Sequence, residues 1–141
     1  MYCTTHFIAG AIIGVATPSP VLAAAAGLVS HAVLDYVPHS DYSRAVQGAL
    51  DVACSLLVAL GLLAAGADVR ATAGGLGAVL PDLEVAAAFV FPGAYTPHGR
   101  LRLVFPSHSG VIRHGRLAPP WGVLTQVLAI LGLTAFFLRA L

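Results

Sequence analysis

The sequence predicts an all-α integral membrane bundle of about five helices, of which the first is short. Hydrophobic residues make up 58% of the 141 residues and charged residues only 9%, whereas a soluble domain carries about 25% charged residues. Five apolar segments follow one another, separated by prolines and short polar turns. Segments in lipid form helices because the backbone must satisfy its own hydrogen bonds there. The length fits one integral membrane domain over residues 1–141.

Prolines and a tryptophan mark the ends of these segments. Pro18 and Pro20 end the first segment, Pro20 suits the first turn of the second, and Pro38 ends the second. Trp121 begins the fifth segment as an interfacial anchor. Since a helix needs about 20 residues to cross the hydrocarbon core, the third, fourth and fifth segments are long enough, the second is slightly short and the first clearly short. The segments cover residues 5–16, 20–37, 44–66, 70–91 and 120–141.

Small residues recur along the segments. Gly10 and Gly14 form a GxxxG pattern, and residues 74–78 read Gly-Gly-Leu-Gly-Ala. Small faces let membrane helices approach each other closely. We expect this packing to occur within one bundle rather than at a dimer seam, with a homo-oligomer as the alternative.

Charge and cysteine content exclude several classes of protein. A net charge of +1 gives no electrostatic basis for binding nucleic acid. Cys3 and Cys54 have no motif spacing, so we expect two small apolar residues rather than a disulfide. Residues 1–6 contain no lysine or arginine, which favours a first segment that stays in the mature protein over a signal peptide.

Arginines determine the predicted orientation. The loop at residues 92–119 carries Arg100, Arg102, Arg113 and Arg116. Cytoplasmic loops concentrate arginine, and alternation of the segments then places the N-terminus in the cytoplasm and the C-terminus outside. The expected protein is therefore multi-pass with a cytoplasmic N-terminus.

The same orientation gathers the ionisable residues on the cytoplasmic side. They are His6, His31, Asp35, His39, Asp41, Asp51, Asp82, Glu84 and the loop histidines His98, His108 and His114. Such groups cost several kcal/mol in a low-dielectric medium unless they are paired or bind a metal. We therefore predict one polar pocket near the cytoplasmic interface.

His31 and Asp35 are the centre of this predicted pocket. Four residues apart, they share one helix face, as do a metal-binding histidine and its carboxylate partner. A structural His–Asp hydrogen bond has the same spacing. Imidazole and carboxylate together suit a divalent metal, with zinc favoured over manganese or iron.

Two other stretches add candidates. Asp82 follows Pro81 and precedes Glu84 by two residues, so an unwound turn can aim both acids at one point; the alternative is a kinked helix whose acids pair with Arg100 or Arg102. In the loop, Ser107 and Ser109 flank His108 and can bind a ligand. Arg113 and Arg116 suit a phosphate group, or else the headgroups of membrane lipids.

Four motifs together resemble a known family. They are H-x-x-x-G from His6 to Gly10, S-H-x-x-x-D-x-x-P-H from Ser30 to His39, L-P-D-L-E from Leu80 to Glu84, and S-H-S from Ser107 to Ser109. The chain resembles the small bacterial membrane-bound metal-dependent hydrolases, including the inner-membrane group under LexA control. The resemblance implies an inner-membrane location and a metal site formed by His6, His31, Asp35, Asp82 and His108. The chain has Glu84-Val85 where the family pattern has an acid and a histidine.

The leading functional hypothesis is a divalent-metal-dependent hydrolase of a lipid-linked ester or phosphoester. Glu84 or Asp51 is the expected general base. One alternative is a non-enzymatic accessory subunit of a larger membrane protein complex, in which the buried His and Asp side chains form interhelical hydrogen bonds. The other is an ion conduit, since intramembrane acids and histidines also mark ion pathways. The conduit is the weaker alternative because the outer half has few polar residues.

Overall fold

The computed structural model of the chain describes residues 1–91, 102–112 and 115–140, and in these ranges it contains five α-helices and no β-strand. The helices are α1 (Cys3–Val15), α2 (Pro20–Asp35), α3 (Ala45–Ala64), α4 (Val69–Val90) and α5 (Trp121–Ala140). The all-α class and the number of helices are therefore confirmed. Each helix begins and ends within about two residues of its predicted segment. Differences of this size are expected at helix ends.

Polar caps explain where two of the helices begin. The Ser19 hydroxyl accepts a hydrogen bond from the Leu22 amide at 3.3 Å, directly before Pro20 in the first turn of α2. The Asp68 carboxylate accepts one from the Arg70 amide at 2.8 Å and caps α4. Each cap satisfies a backbone donor that has no partner within its helix.

The fourth helix runs without interruption through Pro81. It is helical from Val69 to Val90 with Pro81 buried inside it, so the unwound turn considered above does not form. A proline removes one backbone donor, and the close packing of α4 against α1 and α2 holds the helix on both sides of that gap.

Glycines allow α1, α2 and α4 to touch backbone to backbone. A side-chain carbon added at Gly10 would collide with the carbonyl group of Gly74, and one added at Gly74 would collide with that of Gly10. Gly27 meets the same Gly74 carbonyl, while Gly14 meets the Arg70 carbonyl. The GxxxG pair therefore packs within the chain, which confirms that part of the prediction.

The third helix lies at the edge of this core and exposes much of its apolar surface. Leu50, Leu57 and Leu60 are 63%, 67% and 62% exposed. By length and composition, two helices are able to cross a membrane, Val46–Ala64 and Val69–Val90; the other apolar helices, Cys3–Val15, Pro20–Asp35 and Trp121–Phe136, are shorter. The third and fourth segments thus meet the length expectation, and α5 is 20 residues long.

Two chain segments that are far apart in sequence join beneath the end of α2. The His39 amide donates to the Gly115 carbonyl at 3.1 Å, and the Leu117 amide donates to the His39 carbonyl at 2.9 Å. On α5, the buried Gln126 side chain donates to the Ser40 carbonyl at 3.1 Å and accepts from the Tyr2 amide at 2.9 Å. These bonds tie the loop after α2 to both α1 and α5.

Candidate metal centre

Five predicted ligands from four parts of the chain meet at one place. His6 comes from α1, His31 and Asp35 from α2, Asp82 from α4, and His108 from the segment after α4. The side chains of His6, His31 and Asp35 are almost fully buried. The Asp35 carboxylate lies at the centre, with Oδ1 3.1 Å from His6 Nε2 and Oδ2 3.1 Å from His31 Nε2.

The donor atoms are spaced as ligands of one ion would be. His31 Nε2 and His108 Nε2 are 3.3 Å apart, and His108 Nε2 lies 3.8 Å from Asp35 Oδ2 and 3.9 Å from Asp82 Oδ1. Ligand atoms that each lie about 2.1 Å from a zinc ion are roughly 3.0–4.2 Å from one another. The donor atoms of His31, Asp35 and His108 all lie within 4.8 Å of one another, and so do those of His6, His31 and Asp82. One ion can therefore contact either set of three.

The hydrogen bond behind His31 determines which of its nitrogens is available. Nδ1 lies 2.7 Å from the Ala78 carbonyl oxygen, and since that oxygen only accepts, Nδ1 carries the proton. In the neutral ring Nε2 is then an acceptor, yet it faces Asp35 Oδ2, which is also an acceptor. A proton on Nε2 or a metal ion resolves this conflict, and a carbonyl behind the ring is the usual support for a metal-binding histidine.

Several polar atoms in and beside the site are buried without a hydrogen-bond partner in the part of the chain that the structure describes. They are His6 Nδ1, Asp82 Oδ2, Ser107 Oγ and His108 Nδ1. Such atoms are rare in folded proteins, because they lower the stability of the fold unless an ion or a water molecule binds them. Burial also lowers the pKa of His108, which favours the neutral imidazole that a metal requires.

Glu84 lies behind His108 rather than among the ligands. Its carboxylate accepts hydrogen bonds from the backbone amides of Val104 and Phe105, and Oε2 is 3.7 Å from His108 Nδ1. A carboxylate on the far nitrogen of an imidazole orients the ring toward a metal. At 3.7 Å the two atoms are not hydrogen-bonded, so Glu84 is a charged neighbour of His108 and not one of the metal ligands.

Asp51 is engaged elsewhere. Its carboxylate accepts from the Thr4 amide at 3.0 Å, from the Thr4 hydroxyl and from the Tyr42 hydroxyl. Burial and this carboxylate raise the pKa of Tyr42, which keeps the phenol protonated. Among the described contacts Asp51 joins α3 to the start of α1, and the structure does not bring it to the histidines.

Of the four predicted substrate-binding residues, one is buried, two are exposed and one lies outside the described residues. Ser107 is buried beside His108, whereas Ser109 is exposed and donates weakly to the Pro106 carbonyl at 3.4 Å. Arg116 is 80% exposed and its Nε lies 3.2 Å from Asp41 Oδ2. Arg113 lies outside the described residues, as do His98, Arg100 and His114.

Two residues not assigned as ligands from the sequence border the site. His39 Nε2 is 3.1 Å from Asp41 Oδ1 and 4.0 Å from Asp35 Oδ1. The hydrogen bond from His39 is the main reason that the pKa of Asp41 lies below its usual range. The concentration of His and Asp in residues 30–41 was the sequence feature that could have identified these two residues. Helical spacing did not link them to Asp35, because Pro38 interrupts the helix.

A cavity of about 270 Å³ opens onto the centre. Its polar wall includes Asp35, Asp41, Asp82, Ser107, His108 and Arg116, and its apolar wall includes Val85, Phe89 and Leu103. A smaller cavity of about 120 Å³ between α3 and α4 shares Asp82, Val85 and Phe89 with it. A larger cavity of about 670 Å³, lined by residues of α1, α2 and α5, has no ionisable residue among its described lining and is not connected with this chemistry.

Compared with known proteins, the chain matches no family model, no curated protein and no solved structure. The motif resemblance to membrane-bound metal-dependent hydrolases therefore stays a prediction.

Proposed function

We propose that the protein is a membrane-embedded, divalent-metal-dependent hydrolase of a lipid-linked ester or phosphoester. The observation that carries this proposal is the arrangement around His31. Its Nδ1 is fixed by the Ala78 carbonyl, and its Nε2 faces Asp35 Oδ2 at 3.1 Å and His108 Nε2 at 3.3 Å. A single divalent ion bound by His31, Asp35 and His108 satisfies both Nε2 atoms and the carboxylate oxygen at once.

The donor set favours zinc over manganese or iron. Each set of three donors has two imidazoles and one carboxylate, and mixed nitrogen and oxygen ligands suit zinc, while a larger share of oxygen would favour manganese. Bound there, the ion supplies a Lewis acid and lowers the pKa of water.

The side chains of this chain divide the remaining work. Asp82 lines the cavity, and its Oδ2 has no hydrogen-bond partner among the described residues, so it is the proton acceptor that the geometry favours over Glu84 and Asp51. Glu84, whose Oε2 faces His108 Nδ1 at 3.7 Å, is assigned the role of favouring the ring orientation that turns Nε2 toward the ion. Arg116 lies at the mouth of the cavity, with its guanidinium exposed to bind an anionic headgroup.

Exposed apolar surface supports a membrane location and an amphiphilic substrate. α3 directs leucines outward along its length, which is unfavourable in water and favourable in lipid. The cavity at the metal centre has both a polar and an apolar wall, matching a substrate with a charged headgroup and a hydrocarbon chain. We propose a multi-pass protein of the inner membrane, with the site and the N-terminus on the cytoplasmic side.

Metal content and hydrolysis, measured together, test this proposal. Protein purified in mild detergent should contain tightly bound zinc and cleave lipid esters or phosphoesters, and His31→Ala should lose both. Ser30→Ala is the matched control, because Ser30 is buried beside His31 and only donates to the Gly27 carbonyl at 2.7 Å. Folded wild-type protein that binds no metal after reconstitution would overturn the proposal.

The accessory subunit remains the second candidate, supported by the outer face of α3. Leu57 and Leu60 on this face are 67% and 62% exposed, so a larger membrane protein is able to pack against it as lipid does. A metal-free protein that stays bound to one larger partner during purification would favour this function over the hydrolase.

A further inference from the structure

We infer that the site holds two divalent cations, with Asp35 bridging them and His39 and Asp41 binding the second. This inference rests on the proposed metal centre and extends it beyond the ligands His31, Asp35 and His108.

The two oxygens of Asp35 face different sets of donors. Oδ2 lies 3.1 Å from His31 Nε2 and 3.8 Å from His108 Nε2. Oδ1 lies 3.1 Å from His6 Nε2 and 4.0 Å from His39 Nε2. A carboxylate divided in this way can bridge two ions, which in two-metal sites lie about 3.5–4 Å apart.

His39 repeats the arrangement seen at His31. Its Nδ1 lies 2.6 Å from the Val37 carbonyl oxygen, so Nδ1 carries the proton. In the neutral ring Nε2 is then an acceptor directed at Asp41 Oδ1, 3.1 Å away. Two fully buried histidines, each supported from behind by a carbonyl, thus present Nε2 to a carboxylate: His31 to Asp35 and His39 to Asp41.

The backbone holds His39 in this position. Its amide donates to the Gly115 carbonyl and its carbonyl accepts from the Leu117 amide. The donor is therefore fixed by hydrogen bonds on both sides of the residue rather than carried by a free loop. A ligand fixed in advance loses little freedom when it binds an ion.

A positively charged group lies between the carboxylates of Asp35 and Asp41. The α-amino nitrogen of Met1 lies 3.1 Å from Asp35 Oδ1 and 3.4 Å from Asp41 Oδ1. The competing arrangement is thus one metal ion at His31 with the ammonium group in the second position. The two arrangements differ in the number of ions bound.

Manganese reconstitution distinguishes them. We expect wild-type protein saturated with Mn²⁺ to bind two equivalents and to give the electron paramagnetic resonance signal of an exchange-coupled pair. His39→Ala should bind one equivalent and give an uncoupled signal. Ser40→Ala, a buried neighbour whose hydroxyl donates to the Leu117 carbonyl at 2.8 Å, should keep both ions.

Each other result has a distinct meaning. One uncoupled ion in the wild type, retained in His39→Ala, overturns the second site and leaves the proposed hydrolase intact. If Ser40→Ala loses the same ion as His39→Ala, the assignment of His39 as a ligand fails. Wild-type protein that binds no ion overturns both proposals, and the wild-type spectrum decides this even if His39→Ala does not fold.

Discussion

The core of α1, α2 and α4 and the peripheral helix α3 use opposite kinds of surface. In the core, glycine faces bring backbones into contact at Gly10, Gly27 and Gly74. On α3, Gly61 has no neighbouring atom near its missing side chain, and Leu57 and Leu60 point outward. The core is thus held together by close backbone contact, while α3 offers an apolar surface to its surroundings.

This difference explains why the candidate centre lies where it does. His6, His31 and Asp82 stand on the three helices whose backbones touch at glycines, and their donor atoms lie within 4.8 Å of one another. Short helix-to-helix distances let imidazole and carboxylate groups reach one another directly. The peripheral helix contributes the apolar wall beside Asp82 rather than a ligand.

The same substitution in the two regions should have opposite effects. In Gly74→Ala the added carbon collides with the Gly10 carbonyl, so we expect a loss of about 2–3 kcal/mol as in other overpacked cores. In Gly61→Ala the side chain meets open space, and the gain in helix propensity should leave stability unchanged or raise it by up to about 1 kcal/mol. Thermal unfolding of both variants in the same detergent measures this, and equal shifts would contradict the contrast.

The helices of the core were predictable from the sequence, but the contacts among its polar side chains were predictable only in part. Each helix corresponded to an apolar segment bounded by proline or a polar cap, because hydrophobicity and capping act locally. The convergence of His6, His31 and Asp82 was predicted from the orientation that the loop arginines indicate, which assigns each residue a depth in the membrane. Depth alone does not determine which side chains touch.

Contacts between a helix and an irregular segment were not predictable from spacing. Glu84 lies against His108 because the backbone after α4 folds back onto its carboxylate, and no periodicity describes that path. His39 reaches Asp35 through a loop fixed by residues 115–117. Asp51 and Asp82 are both acids in apolar helices, and the partners Thr4 and Tyr42 show that Asp51 has a structural role.

Exchanging these two acids for their amides should separate chemistry from structure. We expect Asp82→Asn to lower hydrolysis at least about 100-fold, the range for loss of a general base, with little change in thermal midpoint. Asp51→Asn should instead weaken the contacts with Thr4 and Tyr42 and destabilise the fold by about 1–3 kcal/mol. Its activity per folded molecule should stay near that of the wild type. The reverse result would make Asp51, and not Asp82, the general base.

Removing the charge behind His108 should weaken metal binding without abolishing it. Glu84→Gln keeps the shape of the side chain but loses the carboxylate that faces His108 Nδ1 at 3.7 Å. Loss of such an orienting group typically costs about 10–100-fold in metal affinity. Competition with a chelator measures the change, and Cys54→Ser, an exposed position on α3, serves as the control. An unchanged zinc affinity in Glu84→Gln would show that His108 is oriented by other groups or is not a ligand.

The smallest effect is expected at the turn between α3 and α4. Hydrogen bonds from Arg70 lower the pKa of the exposed Asp68 carboxyl to about 2, below the unfolded value of about 3.9. A depressed folded pKa stabilises the protein above the unfolded pKa, and this contribution is lost as the pH falls from about 4 toward 2. Asp68→Asn keeps a capping side chain for α4 but has no charge, so its small deficit in thermal midpoint at pH 6 should disappear near pH 2. A deficit that is the same at both pH values would show that Asp68 acts through its cap alone, and hydrolysis at neutral pH should not change.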